Sequence, residues 1–406
     1  MQELIINQDK AKKTICLVKN GELVEKYDES NSIIERLEGN IYIGKVEDIL
    51  VGMQAAFINI GDKKNALIHF SDVLPKIDIT KQVEIENKEK IIKEKLVRGN
   101  KILVQVKKDS DSQKGARLTT HISLVGKYLV VMPETTIITI SQKITDIEEK
   151  ERLKTVIKNI LPKNMGVILR TSAVSKNEEE LKEDLEDLLK RWKNIQKVYN
   201  DAKKIPILVE ENNNITKKII LDTIEKDIKN VYVNNEKDYL EIKDYIDSLK
   251  PTNKVDIILK NGEDLLDRYD IKKQIEKSNK RKIWLNCGGF ITIDKTEALT
   301  AIDVNSGKYT GNKNLEDTVL KVNLEATKEI AKQIRLRDIG GIIIIDYIDM
   351  KNSENKEKVK IKLEEMLKED RSKTQVLEFT KLNLLELTRK HIFSNNKSLE
   401  EKEEME

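Results

Sequence analysis

Residues 296–307 read TEALTAIDVNSG, and residues 340–350 read GGIIIIDYIDM. An apolar run in the first leads to Asp303, with Val304 separating it from Asn305. Side chains on a strand alternate between faces, so Asp303 and Asn305 point to the same side. The second run is a strand reaching Asp346, with Asp349 just beyond. Between the two, a helix is predicted from about Leu315 to Arg337, ended by Gly340-Gly341. GGFITID supplies a further strand upstream. Strand, helix, strand in this order predicts an α/β layer with parallel pairing. Ligands of such sheets bind at the carboxyl ends of the strands, which is where Asp303 and Asp346 fall side by side.

Two carboxylates a few ångströms apart repel when both are ionised, and need a proton or a hard cation between them. Magnesium takes oxygen ligands, commonly one or two carboxylates completed by water and phosphate oxygens. That chemistry suits phosphodiester hydrolysis: the ion activates and orients water and offsets developing charge. Asn305 would orient the attacking water or a phosphate oxygen. The competing reading is that both aspartates only cap loops or helices after buried strands.

Working outward, residues 1–36 read as short strands with a turn at Asn20-Gly21, a hairpin signal. Residues 37–118 form a compact β unit: NIYIGKVEDIL, QAAFINI and NALIHF, a charged helical insertion from Val83 to Leu96, then KILVQVKKD. Short strands in close succession predict a small barrel. Phe57 is followed by Lys63, Lys64, Leu67 and Phe70, and Lys101, Lys107, Lys108 and Lys114 lie near the unit's other end. A barrel face with an aromatic ring and flanking lysines is a plan for binding single-stranded nucleic acid. The alternative is that Phe57, in AAFINI, is an ordinary core aromatic. Residues 119–215 carry strands at KYLVVM and GVILRT, the second ending in Arg170-Thr171, a pair able to grip a phosphate. A long helix follows, with capping-box spacing at Ser175 and Glu178 and a core stripe at Leu181, Leu185, Leu188, Leu189, Trp192, Ile195 and Tyr199. Residues 216–280 are a lysine-rich mixture of short strands and helices, and 396–406 are polar and acidic.

Composition narrows the classes. The 406 residues predict several compact units at roughly 100–200 residues per domain. Two cysteines, Cys16 and Cys287, exclude a disulfide scaffold and a cysteine-rich zinc cluster. Three histidines, His69, His121 and His391, are too few and scattered for a histidine metal site, so carboxylates are the expected chemists. The start, MQELIINQDKAKK, lacks an apolar core of signal-peptide length. The longest aliphatic run, Ile342 to Ile345, falls far short of the roughly 18 residues a membrane span needs. A cytoplasmic protein with no membrane partner is therefore expected. A net charge of +3 adds only a slight bias toward nucleic acid.

In this order the segments resemble the catalytic region of the ribonuclease E/G family. The densest likeness is GGFITIDKTEALTAIDVNSGKYTG followed by NLEATKEIAKQIRLRDIGGIIIIDYIDM, with LLDRYDIKKQIEK upstream and LLELTRK downstream. GNIYIGKVEDILVGMQAAFINIGDKKNALIHFSDV resembles the family's S-one-type OB barrel, and LTTHISLVGKYLVVMP with ILRTSA its sensor of RNA 5′ ends. The resemblance implies an α+β multidomain fold. An RNase-H-like subdomain would comprise residues 1–36 and 216–280, with an OB-fold domain (37–118) and a 5′-sensor region (119–215) inserted into it. A DNase-I-like catalytic subdomain (281–395) and a disordered tail (396–406) would follow.

By matching position, the resemblance makes Asp303 and Asp346 the magnesium ligands and Asn305 their partner in catalysis. Arg170 and Thr171 become 5′-monophosphate contacts, with Gly126 and Val130 supplying backbone, and Phe57 and Lys114 become RNA contacts. The implied activity is endonucleolytic cleavage of single-stranded RNA to 5′-phosphate and 3′-hydroxyl ends, in processing and decay of rRNA, tRNA and mRNA. The alternative is an RNA-binding protein with little or no catalysis. Two departures stand out. The family's CPxC-type zinc link and small dimerisation domain do not follow LLELTRKH, so no structural zinc is expected and a homodimer is in doubt. Leu67 stands where the family often has an aromatic, and Phe70, three residues on, falls on the opposite strand face.

Overall fold

The computed structural model describes residues 2–10, 12–30, 37–73, 92, 95–110, 114–212, 214–224, 228–307 and 315–391. They divide into two compact units, one of residues 1–31, 227–245 and 252–406, the other of residues 32–226 and 246–251. Among the described residues no helix is long and apolar enough to cross a membrane. The charged insertion expected from Val83 to Leu96 lies almost wholly outside the described residues, as does the 396–406 tail.

The first unit holds two sheets. In the five-stranded one, Gln2–Gln8 is the central strand, between Ile228–Val233 and Lys12–Lys19, with Asp256–Leu259 and Glu22–Ser30 at the edges. The hairpin at Asn20-Gly21 forms as expected, both residues adopting positive φ (53° and 80°), the signature of a tight primed turn.

The six-stranded sheet runs Lys282–Trp284, Phe290–Lys295, Leu299–Asn305, Gly341–Asp346, Leu384–Arg389, Thr374–Phe379. Only the 299–305 and 341–346 strands pair in parallel, joined through the helix Leu315–Leu336; the other neighbours are antiparallel. Parallel pairing is thus confined to the one strand–helix–strand unit; the 374–379 strand, though it also follows a helix, pairs only with its hairpin neighbour 384–389, which runs antiparallel to 341–346. Alternation sorts the faces. Ile283, Ile291, Ile293, Ile302, Val304, Ile343, Ile345, Leu385 and Leu387 pack against Val322, Ala326, Ile330 and Ile334 of that helix and Val359 and Leu363 of the helix Ser353–Leu367. The opposite face has no helix on it among the described residues.

The second unit holds a closed five-stranded barrel, Ile41–Leu50, Ala55–Asn59, Ala66–His69, Arg117–Thr119 and Lys101–Lys108, the last pairing back to the first. Val46, Ala56, Ile58, Ala66, Ile68, Val104, Val106 and Leu118 fill it. Phe70 departs from expectation. The strand stops at His69, and Phe70 opens a 3-10 turn that leans on the barrel core, its N–H bonded to the Gln54 carbonyl at 2.8 Å. Beside the barrel, four short strands (Ile138–Ile140, Gly166–Leu169, Leu129–Met132, Leu124–Val125) form a sheet sharing a core with the helix Glu178–Asp201. Leu181, Leu185, Leu188, Trp192 and Ile195 face that core. The helix is capped two residues later than its sequence suggests: Asn177 and Glu180 make the reciprocal cap, and Ser175 sits at φ 61° in the turn before.

Candidate functional site

Asp303 and Asp346 are register partners across the parallel strand pair, at the carboxyl ends of both strands. Adjacent strands lie about 4.8 Å apart, so the two side chains rise together from the helix-free face. Both are exposed. Asn305, one pleat further on the same face, donates from Nδ2 to Asp303 Oδ2 at 2.6 Å. The Asp346 carboxyl is pushed above the usual carboxylate range by partial burial, then by the charges of Asp303 and Asp349. Asp349 lies past the strand end, its Oδ1 accepting from Asn383 Nδ2 at 3.3 Å.

The backbone behind this cluster depends on glycine. A methyl group on Gly307 (φ 57°) would stand 2.4 Å from the Gly288 carbonyl oxygen, and one on Gly289 would stand 2.8 Å from the Asn305 oxygen. The chain leaving Asn305 therefore lies directly on the Gly288-Gly289 turn, which fixes where Asn305 ends up.

The donor set here is all oxygen, two carboxylates and an amide, which suits a hard cation. Among the described residues no group of three or more His, Cys, Asp or Glu gathers as a ready-made cage. A cation held by the pair would take the rest of its coordination shell from water and substrate. The mutual repulsion on Asp346 is what a divalent cation between the carboxylates would relieve.

On the barrel, Ala56 and Ile58 point inward, so Phe57 between them points out, half-buried. The core reading of Phe57 therefore does not hold. Pairing sets Phe57 beside Leu67, and Leu67 beside Arg117. Arg117 was not singled out from sequence. Its guanidinium donates to Asp72 Oδ2 at 2.8 Å, while Lys107 donates to Asp72 Oδ1 at 2.8 Å. Burial pushes the Asp72 carboxyl up, but these hydrogen bonds and charges outweigh it and hold the group below its ordinary value. Lys114 is exposed just before that strand, placed by Gly115, whose missing side chain would lie 2.0 Å from the Asn65 carbonyl oxygen.

In the neighbouring sheet, Arg170 follows the 166–169 strand and its Nη1 donates to the carbonyl oxygens of Gly126 (2.5 Å) and Lys127 (3.3 Å). Its Nη2 pairs with Asp222. Thr171 Oγ1 lies 3.2 Å from Ser141 Oγ. Gly126, Arg170 and Thr171 are thus gathered, while Val130 sits within the sheet opposite Ile168 and Val125. The turn bearing Gly126 is held by Asp184, which accepts from the backbone N–H groups of Lys127, Tyr128 and Leu129 at 2.9, 2.8 and 2.9 Å. Burial nonetheless raises the Asp184 carboxyl above its usual range. A side chain on Gly126 would meet that carboxylate at 2.6 Å. Asp184 had a sequence signal, a charge at an inward position of an apolar helical stripe; Asp222 had none, because its partner lies 52 residues away.

Comparison with known proteins gives one answer. A model of the Ribonuclease E/G family matches residues 123–392. The chain is 36% identical over 392 residues to ribonuclease G of Haemophilus influenzae, covering 96% of this chain and 79% of that protein. It is 35% identical over 398 residues to ribonuclease G of Escherichia coli, with the same coverage, 96% and 79%. To ribonuclease E of a Nostoc species it is 35% identical over 357 residues, covering 87% of this chain and 51% of that one. With the family motif and relatives of this similarity spanning nearly its whole length, the chain belongs to the ribonuclease E/G family.

Proposed function

We propose that this ribonuclease is a magnesium-dependent endonuclease that cuts single-stranded RNA within the chain, in RNA processing, leaving 5′-phosphate and 3′-hydroxyl ends. The observation that carries the reading is the register match of Asp303 with Asp346 on the helix-free face, with Asn305 bonded to Asp303. Asp303 and Asp346 would hold the ion, which when bound supplies Lewis acidity and lowers the pKa of water at neutral pH. Asn305 fixes Asp303 with one amide hydrogen and keeps its carbonyl oxygen and second hydrogen for an attacking water or a phosphate oxygen.

The other sites serve binding. Phe57 offers an outward ring for a base and Lys114 a charge for the backbone. Arg170 and Thr171 receive a 5′-monophosphate, for which Arg170 exchanges its Asp222 partner for phosphate oxygens. In this reading the five-stranded sheet belongs to an RNase-H-like subdomain and the six-stranded sheet to a DNase-I-like one, the barrel being an S-one-type OB domain.

The test is to replace either aspartate. Asp303→Asn and Asp346→Asn are each expected to lower kcat at least 10³-fold, on the order of the loss when a major electrostatic group is removed, with RNA affinity within about twofold. A purified variant that still cleaves at a tenth of the parent rate in magnesium would remove the assignment.

A further inference from the structure

The helix-free face carries more than the acidic pair. Strand pairing places Trp284 beside Phe290 and Phe290 beside Asn305 in one row. The adjacent row reads Lys282, Thr292, Asp303, Asp346. The Trp284 and Phe290 rings meet edge to face, centroids 5.3 Å apart at 61°. Lys282 Nζ stands 3.5 Å from the Phe290 centroid and 4.4 Å from that of Trp284. Trp284 remains 52% exposed.

A lone exposed apolar side chain is ordinary. Two rings and an ammonium assembled one row from an acidic pair are a built feature. Phe290 is the diagonal neighbour of Asp303, about 7–8 Å away, a spacing long side chains bridge. The ligand of such a surface needs a flat π face and an anionic group side by side, next to the group that undergoes chemistry. Among substrates of this family's reaction, a nucleotide unit of the RNA strand has that composition, and unpaired bases stack readily on aromatic side chains.

We propose that Trp284 and Phe290 form a stacking platform for the nucleobase adjoining the scissile phosphate, with Lys282 meeting the neighbouring phosphate oxygen. The platform positions the strand over the carboxylates; it takes no part in bond making. Its place in the reaction rests on the reading of Asp303 and Asp346 given above.

The experiment is a double-mutant cycle between Trp284 and the base. Oligoribonucleotides containing a single cleavage site are made intact or with one abasic nucleotide at each flanking position in turn. At one position the abasic change is expected to lower kcat/KM of the parent enzyme about tenfold, the effect of losing one stacked base. Trp284→Ala should lower kcat/KM on intact RNA by about the same factor and then be indifferent to the abasic change there. Trp284→Phe should restore most of the loss together with the sensitivity to the abasic change at that position, a coupling that a merely structural role would not produce. An abasic penalty that stays the same in Trp284→Ala at every position overturns the platform. Asp303→Asn is assayed alongside. If it is inactive while Trp284 and the bases act additively, the platform alone falls. If it retains cleavage, the carboxylate reading falls and the platform loses its stated place whatever Trp284 does.

Discussion

Arg170 shows how the fold can hold one side chain on both edges. Two carbonyl oxygens on the Gly126–Lys127 turn fix one edge of its guanidinium, and Asp222 occupies the other. In the proposed reading a 5′-phosphate takes the edge that Asp222 occupies, while the neutral acceptors keep the planar fork in place. Arg170→Ala is therefore expected to narrow the preference for 5′-monophosphate over 5′-hydroxyl RNA by about tenfold or more, since charge-assisted hydrogen bonds contribute about 1.5–3 kcal/mol each. The check is the ratio of kcat/KM on matched substrates; an unchanged ratio would mean the pocket is unused. Single residues were legible in the sequence where local geometry decided them. Asp303 and Asn305 share a face because strands alternate, and that reading needed nothing from the rest of the chain. Asp222 and Arg117 were missed because their partners come from distant elements, and no periodicity encodes such a meeting; Trp284 lies two residues from Lys282 and across a short hairpin from Phe290, a local signal in a strand of only three residues.

Among the elements, the turn at Gly288-Gly289 is where backbone conformation most tightly sets the strand end that carries Asn305. Gly307 sits in the left-handed region with an oxygen 2.4 Å from where a side chain would begin. Gly307→Ala would have to displace the chain that carries Asn305. Displacement of about 1 Å near a reacting centre can cost on the order of a hundredfold. The variant is expected to lose about that much in kcat while its melting temperature falls by only a few degrees, about 1–2 kcal/mol of left-handed strain. Near-parent turnover would show that the loop relaxes elsewhere. Element boundaries were legible where turn chemistry is strong, as at Asn20-Gly21. The capping box was misplaced by two residues because two candidate pairs, Ser175 with Glu178 and Asn177 with Glu180, share one spacing. Only the backbone's left-handed residue at Ser175 separates them. The long helix of 315–336 and the strands flanking it were plain, their apolar runs bounded by glycine.

At the scale of the whole molecule, chain order and spatial order part company. The first unit takes residues 1–31 from one end and 227–245 and 252–406 from far downstream. The central strand of its five-stranded sheet comes from the N-terminus and pairs in parallel with residues 228–233. No local pattern reports such an arrangement, since a parallel partner more than 200 residues away leaves no imprint on either strand. The net charge of +3 is small for a protein that grips an anionic polymer. Attraction must therefore come from local groups, and affinity for single-stranded RNA should fall with salt, log K declining about 0.7 per log unit for each phosphate contacted. Titration from low to moderate salt measures that slope, and a slope near zero would mean that phosphate contacts carry none of the binding.

The pairing of the Asp303 and Asp346 strands carries a safeguard. A slip of either strand by one residue would swing its aspartate into the apolar layer beneath the helices and lift an isoleucine or valine into water. The register that buries the apolar layer is thereby the same register that sets the two aspartates side by side. A mispaired molecule would carry a buried, unpaired carboxylate, a cost that disfavours the slipped pairing.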